Sequence, residues 1–386
     1  MKLITEQSAL DQFCAEAQDK AYICVDTEFM RESTFYSELC LIQIASSNDE
    51  AIIDPLADNL DLAPFVRLLK NPGLDKILHA ARQDLEIFYA LCGEVPQSIF
   101  DTQIAAMALD FGDSVGYGAL VKGRLGIDID KGARFTDWSR RPLSDKQLKY
   151  ALADVTHLRD LYPGMRKELE DKGRLAWVLE EMAPQMEEKL YTFDPDFAWE
   201  RLKIRNPKKP YLAALKAAAS WRETEAKTRN VPRRRILKDD ALYDLAQQRP
   251  KDITALARLR GIPRGFEKSR SAKVLVNEIG TALKNVDEYA PNIPKPLHMP
   301  PNLGPTVEML KTLLRLRTEY EGIAPRLVAN NREVELIAAF GEAADVPAMK
   351  GWRRDIFGQD ALKMLAGEIT LRLKGRKVVA ETLPPQ

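Results

Sequence analysis

The strongest constraint on this chain of 386 residues is a change of rhythm near residue 195. Before it, short apolar runs rich in β-formers alternate with segments of helical period. After it, only helical patterns remain. Such a chain needs an α/β domain with crossover helices, followed by helical bundles. Strands read at Tyr22–Asp26, Leu39–Ala45, Ala51–Asp54, Lys76–His79 and Ser98–Phe100, with Ser46–Glu50 a good hairpin loop between the second and third. Helices read at 8–18, at 62–70, from about Leu85 to Gly93, and at 102–110, 116–125, 144–161 and 163–173. The sheet these elements build is mixed. Further on, helices read at 211–228, 239–248, 252–258 and 269–284, then at 306–320, 325–329, 332–340 and 359–373.

Two proline-marked stretches divide the helical part. One is Asn206–Pro210; the other runs from Pro291 through Pro296 to Pro301. The tail after Lys374 is basic, ends in Pro384-Pro385-Gln386 and is expected to fray. The domains expected are 1–190, 205–288 and 300–376. The last two look like a diverged repeat. Trp221-Arg222, Pro232, Ile236-Leu237 and Leu259-Arg260-Gly261 in one copy answer to Leu316-Arg317, Pro325, Leu327-Val328 and Met349-Lys350-Gly351 in the other.

Composition is that of an ordinary globular protein, 45% hydrophobic and 30% charged, which excludes a wholly disordered chain. No run of about 18 apolar residues occurs, which argues against a membrane span. Met1–Phe13 lacks the apolar stretch of a secretory signal. Cys14, Cys24, Cys40 and Cys92 have no paired spacing and read as buried free thiols in a reducing cytosol. With only His79, His157 and His298, a His-rich zinc site is nearly excluded.

Lys plus Arg equals Asp plus Glu, 57 each, but the balance is unevenly spread. Residues 1–190 hold 21 basic against 33 acidic side chains; residues 191–290 hold 22 against 13. The basic clusters include Lys208-Lys209, Arg233-Arg234-Arg235 and Arg258-Leu259-Arg260. Such a surface attracts a phosphate-rich partner, although solvated helix faces would read the same way. An acidic domain beside it is odd for a nucleic-acid binder, unless some of its carboxylates hold metal ions.

Asp26 and Glu28 end an apolar strand and share one face, because successive strand residues alternate. Two such carboxylates repel. A hard divalent cation resolves this, and so does a solvated strand end. Tyr150 and Asp154, four apart, lie on one helix face, off the stripe of Leu148, Ala151, Leu152, Val155 and Leu158. They could equally be a surface pair. Asp84 opens a helix, where acidic residues are favoured anyway, and Asp101 at a strand end reads best as an N-cap.

Taken in order, the fragments Val25-Asp26-Thr27-Glu28-Phe29, Leu78–Glu86 with His79 and Asp84, and Tyr150–Val155 resemble the DEDD superfamily of 3′→5′ exonucleases, which have a ribonuclease-H-like fold. Lys149 stands where one branch has histidine, and Tyr150 occupies the position of the tyrosine branch. Asp101-Thr102-Gln103, Asp137-Trp138 and Arg141-Pro142-Leu143 match landmarks of the ribonuclease D family. Both helical blocks resemble the helicase-and-RNase-D C-terminal (HRDC) domain, the second with departures.

The resemblance implies a catalytic set of Asp26, Glu28, Asp84, Tyr150 and Asp154, with Asp101 and His79 near the site. The four carboxylates would hold two divalent ions, Mg²⁺ or Mn²⁺. Asp26, Glu28 and Asp154 would hold the ion that activates water. Asp26 would bridge to the second ion, with Asp84 acting mainly through its waters. Tyr150 would orient the attacking water, since a phenol of pKa about 10 is a poor base near neutrality. Lys208, Lys209, Arg222, Arg233, Arg234, Arg235 and Arg260 are candidate phosphate contacts. The implied substrates are RNAs with a free 3′ end, tRNA precursors above all, and the products nucleoside 5′-monophosphates. The implied setting is the cytoplasm, without a membrane or an obligate protein partner. A DNA repair or proofreading exonuclease would use the same carboxylates. A binding-only module would have broken them, and all four are intact.

Overall fold

The computed structural model describes residues 2–130, 132–133, 136–293 and 297–384. Within the proline linker, 294–296 lie outside the described residues, as do 385–386 of the tail. In chain order the first domain contains β1 (Leu3–Ile4), α1 (Gln7–Ala17), β2 (Tyr22–Met30), β3 (Glu38–Ala45), β4 (Glu50–Ile53) and α2 (Ala63–Lys70). Then follow β5 (Asp75–Leu78), α3 (Arg82–Cys92), β6 (Ile99–Asp101), α4 (Thr102–Met107), α5 (Tyr117–Leu125), α6 (Asp145–Asp171) and α7 (Leu175–Met182).

The sheet order is β1-β4-β3-β2-β5-β6. β3 is antiparallel to both β2 and β4, while β1 with β4 and β2 with β5 run parallel. β2 alternates cleanly. Ile23 and Val25 join the core beneath α1, α2 and α3, while Cys24 joins the opposite core with Val155 and Leu158 of α6. The four cysteines are free and buried.

α6 is one helix of 27 residues, opened by a Ser144–Gln147 capping box. The sequence reading breaks it at Pro163. An internal proline costs about 3 kcal/mol. Leu158, Leu161, Tyr162, Met165 and Leu169 bury both flanks in the core and hold the helix through it.

The first helical block packs α8 (Lys209–Arg229) against α9 (Arg233–Ile236), α10 (Asp239–Gln248), α11 (Ile253–Ala257), α12 (Arg270–Lys284) and α13 (Val286–Tyr289). The second repeats the opening with α14 (Gly304–Glu321), α15 (Pro325–Val328) and α16 (Asn331–Phe340). A long helix, a four-residue helix and a ten-residue helix thus recur in the same order. After α17 (Gly351–Arg353), α18 (Gln359–Leu365) ends eight residues before the helix expected at 359–373. The second bundle is therefore all-helical only to Leu365. It closes on an antiparallel hairpin of β7 (Ile369–Lys374) and β8 (Lys377–Thr382). Ile369, Leu371 and Leu373 alternate with polar residues, and Gly375 takes the left-handed turn at φ 63°. Such a hairpin is marginal alone. Here Leu371 and Ala380 pack on the bundle core. Among the described residues, no helix is long and apolar enough to cross a membrane.

Candidate active site

β2 carries the centre of the site. It runs to Met30, further than its apolar stretch suggests, so Asp26 and Glu28 lie inside the strand. Its pairing with β5 ends at Cys24, opening a crevice beside Asp26, and its register with β3 shifts between Glu28 and Phe29. An irregularity there re-aims the strand beside the carboxylates.

The strand is gripped from both faces. Thr27 faces α3, and its hydroxyl donates to Asp84 Oδ1 at 2.5 Å. Asp26, on the other face, lines one cavity with Tyr150 and Asp154 of α6. That cavity measures about 380 Å³, and His79, Ala80, Gln103, Gly116, Tyr117 and Ile129 complete much of its wall. Glu28 shares the Asp26 face by alternation.

Burial pushes the Asp26 carboxyl well above the usual carboxylate range, and the charge of Asp154 adds to it. Burial does the same to Asp84, with the charge of Asp26 adding and the Thr27 hydroxyl opposing. These groups repel one another and want a cation. Among the described residues no three His, Cys, Asp or Glu side chains stand as a closed ligand set. The fit to a metal therefore rests on donor chemistry. Carboxylate oxygens alone suit Mg²⁺ or Mn²⁺ and do not suit softer ions.

Asp101 acts on the backbone. Its Oδ1 accepts from Ala80 N and Gln103 N, and its Oδ2 accepts from Ala81 N, at 2.8–2.9 Å. It thereby caps α4 and fixes the left-handed turn at Ala80, φ 58°, from which α3 brings in Asp84. His79 Nδ1 lies 3.0 Å from Thr102 Oγ1, whose proton goes to the Leu78 carbonyl. Burial lowers the His79 pKa, and the Asp101 charge opposes it.

Trp138 is buried against Tyr150, ring centres 6.1 Å apart. Arg141 anchors that segment with both Asp54 oxygens, at 2.6 and 2.7 Å, and the Cys40 carbonyl. These contacts brace Tyr150 from behind. Tyr117 is a residue that sequence reasoning missed. Its hydroxyl donates to the Asp154 carbonyl at 2.6 Å, and its ring stands 5.4 Å from His79. The available signal was a tyrosine between Gly116 and Gly118 at a helix start.

The basic candidates divide. Arg222 is buried, bonded to the Leu237 carbonyl and Asp239. Arg233 holds both oxygens of buried Glu223. Both are engaged in holding the fold, Arg222 buried and Arg233 partly exposed. Lys208, Lys209, Arg234, Arg235 and Arg260 are exposed, Lys209 with Asp287 at 2.5 Å.

A mixed sheet carries carboxylates on its central strand, with a further carboxylate from each flanking helix and a tyrosine at the cavity, an arrangement that suits a metal-assisted hydrolase. Residues 1–170 match the 3′-5′ exonuclease family model, and residues 212–275 match the HRDC domain. Ribonuclease D of Granulibacter bethesdensis is 46% identical over 377 residues, covering 97% of this chain and 95% of that protein. Ribonuclease D of Nitrobacter hamburgensis is 46% identical over 382 residues, covering 99% and 100%. The crystal structure of Escherichia coli RNase D matches with a TM-score of 0.80 at 28% identity, covering 95% of this chain and 98% of that one. The chain belongs to the ribonuclease D family. It is a 3′→5′ exoribonuclease that acts on RNA, and a DNA exonuclease reading is not favoured.

Proposed function

We propose that this enzyme trims structured RNA precursors, tRNA precursors first, from a free 3′ end in the cytoplasm, releasing nucleoside 5′-monophosphates. The E. coli relative is described as an exoribonuclease involved in structured RNA processing, which supports that substrate class. Residues 1–190 do the chemistry, 205–288 form the first helical unit, and the second, from 300, is helical to Leu365 and closes on the β7–β8 hairpin. No obligate protein partner is needed.

Asp26, Glu28, Asp84 and Asp154 would hold two divalent ions, Mg²⁺ or Mn²⁺. When bound, these supply water activation and stabilise charge on the leaving oxygen. Tyr150 orients the attacking water by hydrogen bond, and the Trp138 ring keeps the phenol from swinging away. Water adds to phosphorus and the bond to the leaving 3′-oxygen breaks. That oxygen takes a proton and remains as the new 3′ end. Tyr117 and the Ala80 turn wall the cavity around the terminal nucleotide. Lys208, Lys209, Arg234, Arg235 and Arg260 hold the RNA body by its phosphates.

The observation that carries this reading is electrostatic. Asp26 and Asp84 are raised by burial and then by a neighbouring carboxylate, an arrangement that wastes stability unless cations join it. The test uses 5′-labelled RNA and DNA with free or blocked 3′ ends, in Mg²⁺, Mn²⁺ or chelator, beside Asp154→Asn. Stepwise shortening of RNA from free 3′ ends, lost in chelator and in the variant, is expected. Cleavage that persists in both would overturn the metal assignment.

A further inference from the structure

The second helical block touches the segment that leads to the reaction centre, largely through backbone groups. The segment Met107–Asp113 leads from α4 to the cavity wall at Gly116–Ala119. Residues 321–327 clamp that segment at several points. Ala324 N–H donates to the Met107 carbonyl at 2.8 Å. Arg326 N–H donates to Asp113 Oδ1 at 2.9 Å. Arg174, 8% exposed, spans the joint, donating to the Ala108 carbonyl at 3.0 Å and the Glu321 carbonyl at 2.5 Å. Ala324 and Leu327 complete the core formed by Met107, Leu109, Leu120 and Val121.

Behind the clamp the block is locked. Arg353, buried, reaches Glu180 and Glu181 at 2.5 and 2.6 Å, and Trp352 stacks on Trp177 at 4.3 Å. The wall is tied onward, since Gln103 Nε2 donates to the Val115 carbonyl and Tyr117 to the Asp154 carbonyl. A continuous chain of contacts thus runs from the second block to the helix turn bearing Asp154.

We propose that the second block is a positioning element for catalysis, acting through Arg174, Asp113 and the 107–117 segment on the Tyr117 wall, and that it is not an RNA grip. This rests on the placement of the reaction at the Asp26–Asp154 cavity. A positioned wall acts on the terminal nucleotide and so on turnover. A grip acts on the RNA body and so on binding.

The experiment measures kcat and KM of the full chain on a five-nucleotide RNA and on a long structured RNA with the same 3′ end. The variants are Arg174→Ala, Asp113→Ala and Asp113→Asn, with Asp154→Asn as the inactive reference. Arg174→Ala is expected to lower kcat on the order of tenfold to a hundredfold on both RNAs, with KM held. Asp113→Ala is expected to lower kcat a few-fold, and Asp113→Asn, which keeps the acceptor for Arg326 N–H, to restore it. A rise in KM confined to the long RNA would overturn the proposal and make the block a grip. Unchanged kcat in folded Arg174→Ala would overturn it too; if that variant fails to fold, the Asp113 pair decides. Wild-type chain inactive on both RNAs would instead sink the exoribonuclease reading itself.

Discussion

The two helical blocks share a plan and meet the first domain through the same turn, with different chemistry. In the first block, Asn230, at φ 47° after α8, accepts from Phe35 N and Tyr36 N at 3.1 and 3.2 Å. Arg233 lies 4.5 Å from the Phe35 ring centre and grips Glu223, which Arg201 also holds at 2.9 Å. In the second, the turn after α14 docks by the Ala324 amide, and its ion pairs engage Glu180 and Glu181. The first joint buries an anion between cations, Glu223 being 1% exposed. The second leaves Glu180 in contact with water, at 57% side-chain exposure, and Glu181 half-buried, at 38%. One joint touches the loop after the β2 carboxylates, and the other the segment before Tyr117. The repeat has diverged in what it leaves free. Arg234 and Arg235 of α9 face solvent, whereas Leu327 of α15 enters the core.

The difference in burial sets the largest expected effect. Removing one member of a buried, hydrogen-bonded ion cluster costs about 3–5 kcal/mol. Arg233→Ala leaves Glu223, 1% exposed, with Arg201 as its remaining partner, so urea unfolding should show a loss of about that size. Arg353→Ala leaves two acids that water already reaches, and its cost should stay near that of lost charged hydrogen bonds, about 1.5–3 kcal/mol. Equal losses would erase the contrast between the joints.

A smaller effect separates the two matched glycines. At Gly261 a Cβ would stand 2.7 Å from the Ala241 Cα, so the turn after α11 packs on α10 through the missing side chain. Gly261→Ala should cost about 1–3 kcal/mol as overpacking. Gly351 has open space around it but sits at φ 50°. Gly351→Ala should cost roughly 1–2 kcal/mol, through backbone strain alone. Thermal melts of both, beside larger side chains at each site, test this. Leu in place of Gly261 should be far worse than Ala, and Leu in place of Gly351 no worse.

Much of this architecture was legible in the sequence because its signals are local. Continuous apolar runs at Tyr22–Asp26 and Leu39–Ala45 mark strands that bury both faces, and four-residue spacing puts Tyr150 and Asp154 together. The Ser144 cap and the Gly93 stop follow from backbone chemistry that one residue supplies. What escaped depends on distant partners. Pro163 reads as a break because its offsetting burial comes from the sheet. Ile369–Lys374 reads as helix because Leu365, Ile369 and Leu373 recur every four residues, and only the Gly375 turn and the bundle beneath decide otherwise. Arg222 and Arg233 read as a phosphate surface because Glu223 and Asp239, which engage them, carry no motif. Tyr117 is faint for a related reason, since its partner is a backbone carbonyl and the flanking Gly116 and Gly118 are its only local mark.

Charge tests the division of labour more finely. Arg234→Ala with Arg235→Ala should weaken RNA binding and lessen the salt dependence of log K by about 0.7 per lost phosphate contact on a single strand. Stability should hold within about 0.5 kcal/mol, as for exposed positions generally. Arg332→Ala with Lys363→Ala in the second block should alter neither. Binding titrations across salt concentration check this, and equal slopes for both pairs would mean the blocks contact RNA alike.

The subtlest effect is in acid, where the two joints should answer with opposite sign. Burial raises Glu223, but Arg233 and Arg201 outweigh it and hold its carboxyl below the ordinary 4.5. Its unfolded form then binds more protons than the native one in the window below 4.5. Its contribution is complete above 4.5 and is lost as pH falls through the folded value. Glu181 goes the other way, because burial raises it beyond what Arg353 offsets. Its native form binds more protons above 4.5, so ionising it lowers stability as pH rises through the folded value. Melting curves of Glu223→Gln and Glu181→Gln beside wild type separate the two. The deficit of Glu223→Gln should be full at pH 7 and shrink in acid. Glu181→Gln should be at least as stable as wild type at pH 7, with any advantage gone once wild-type Glu181 is protonated. Deficits that move in the same direction with pH would mean that the two joints share one electrostatic design, and that their difference in burial does not decide how they hold.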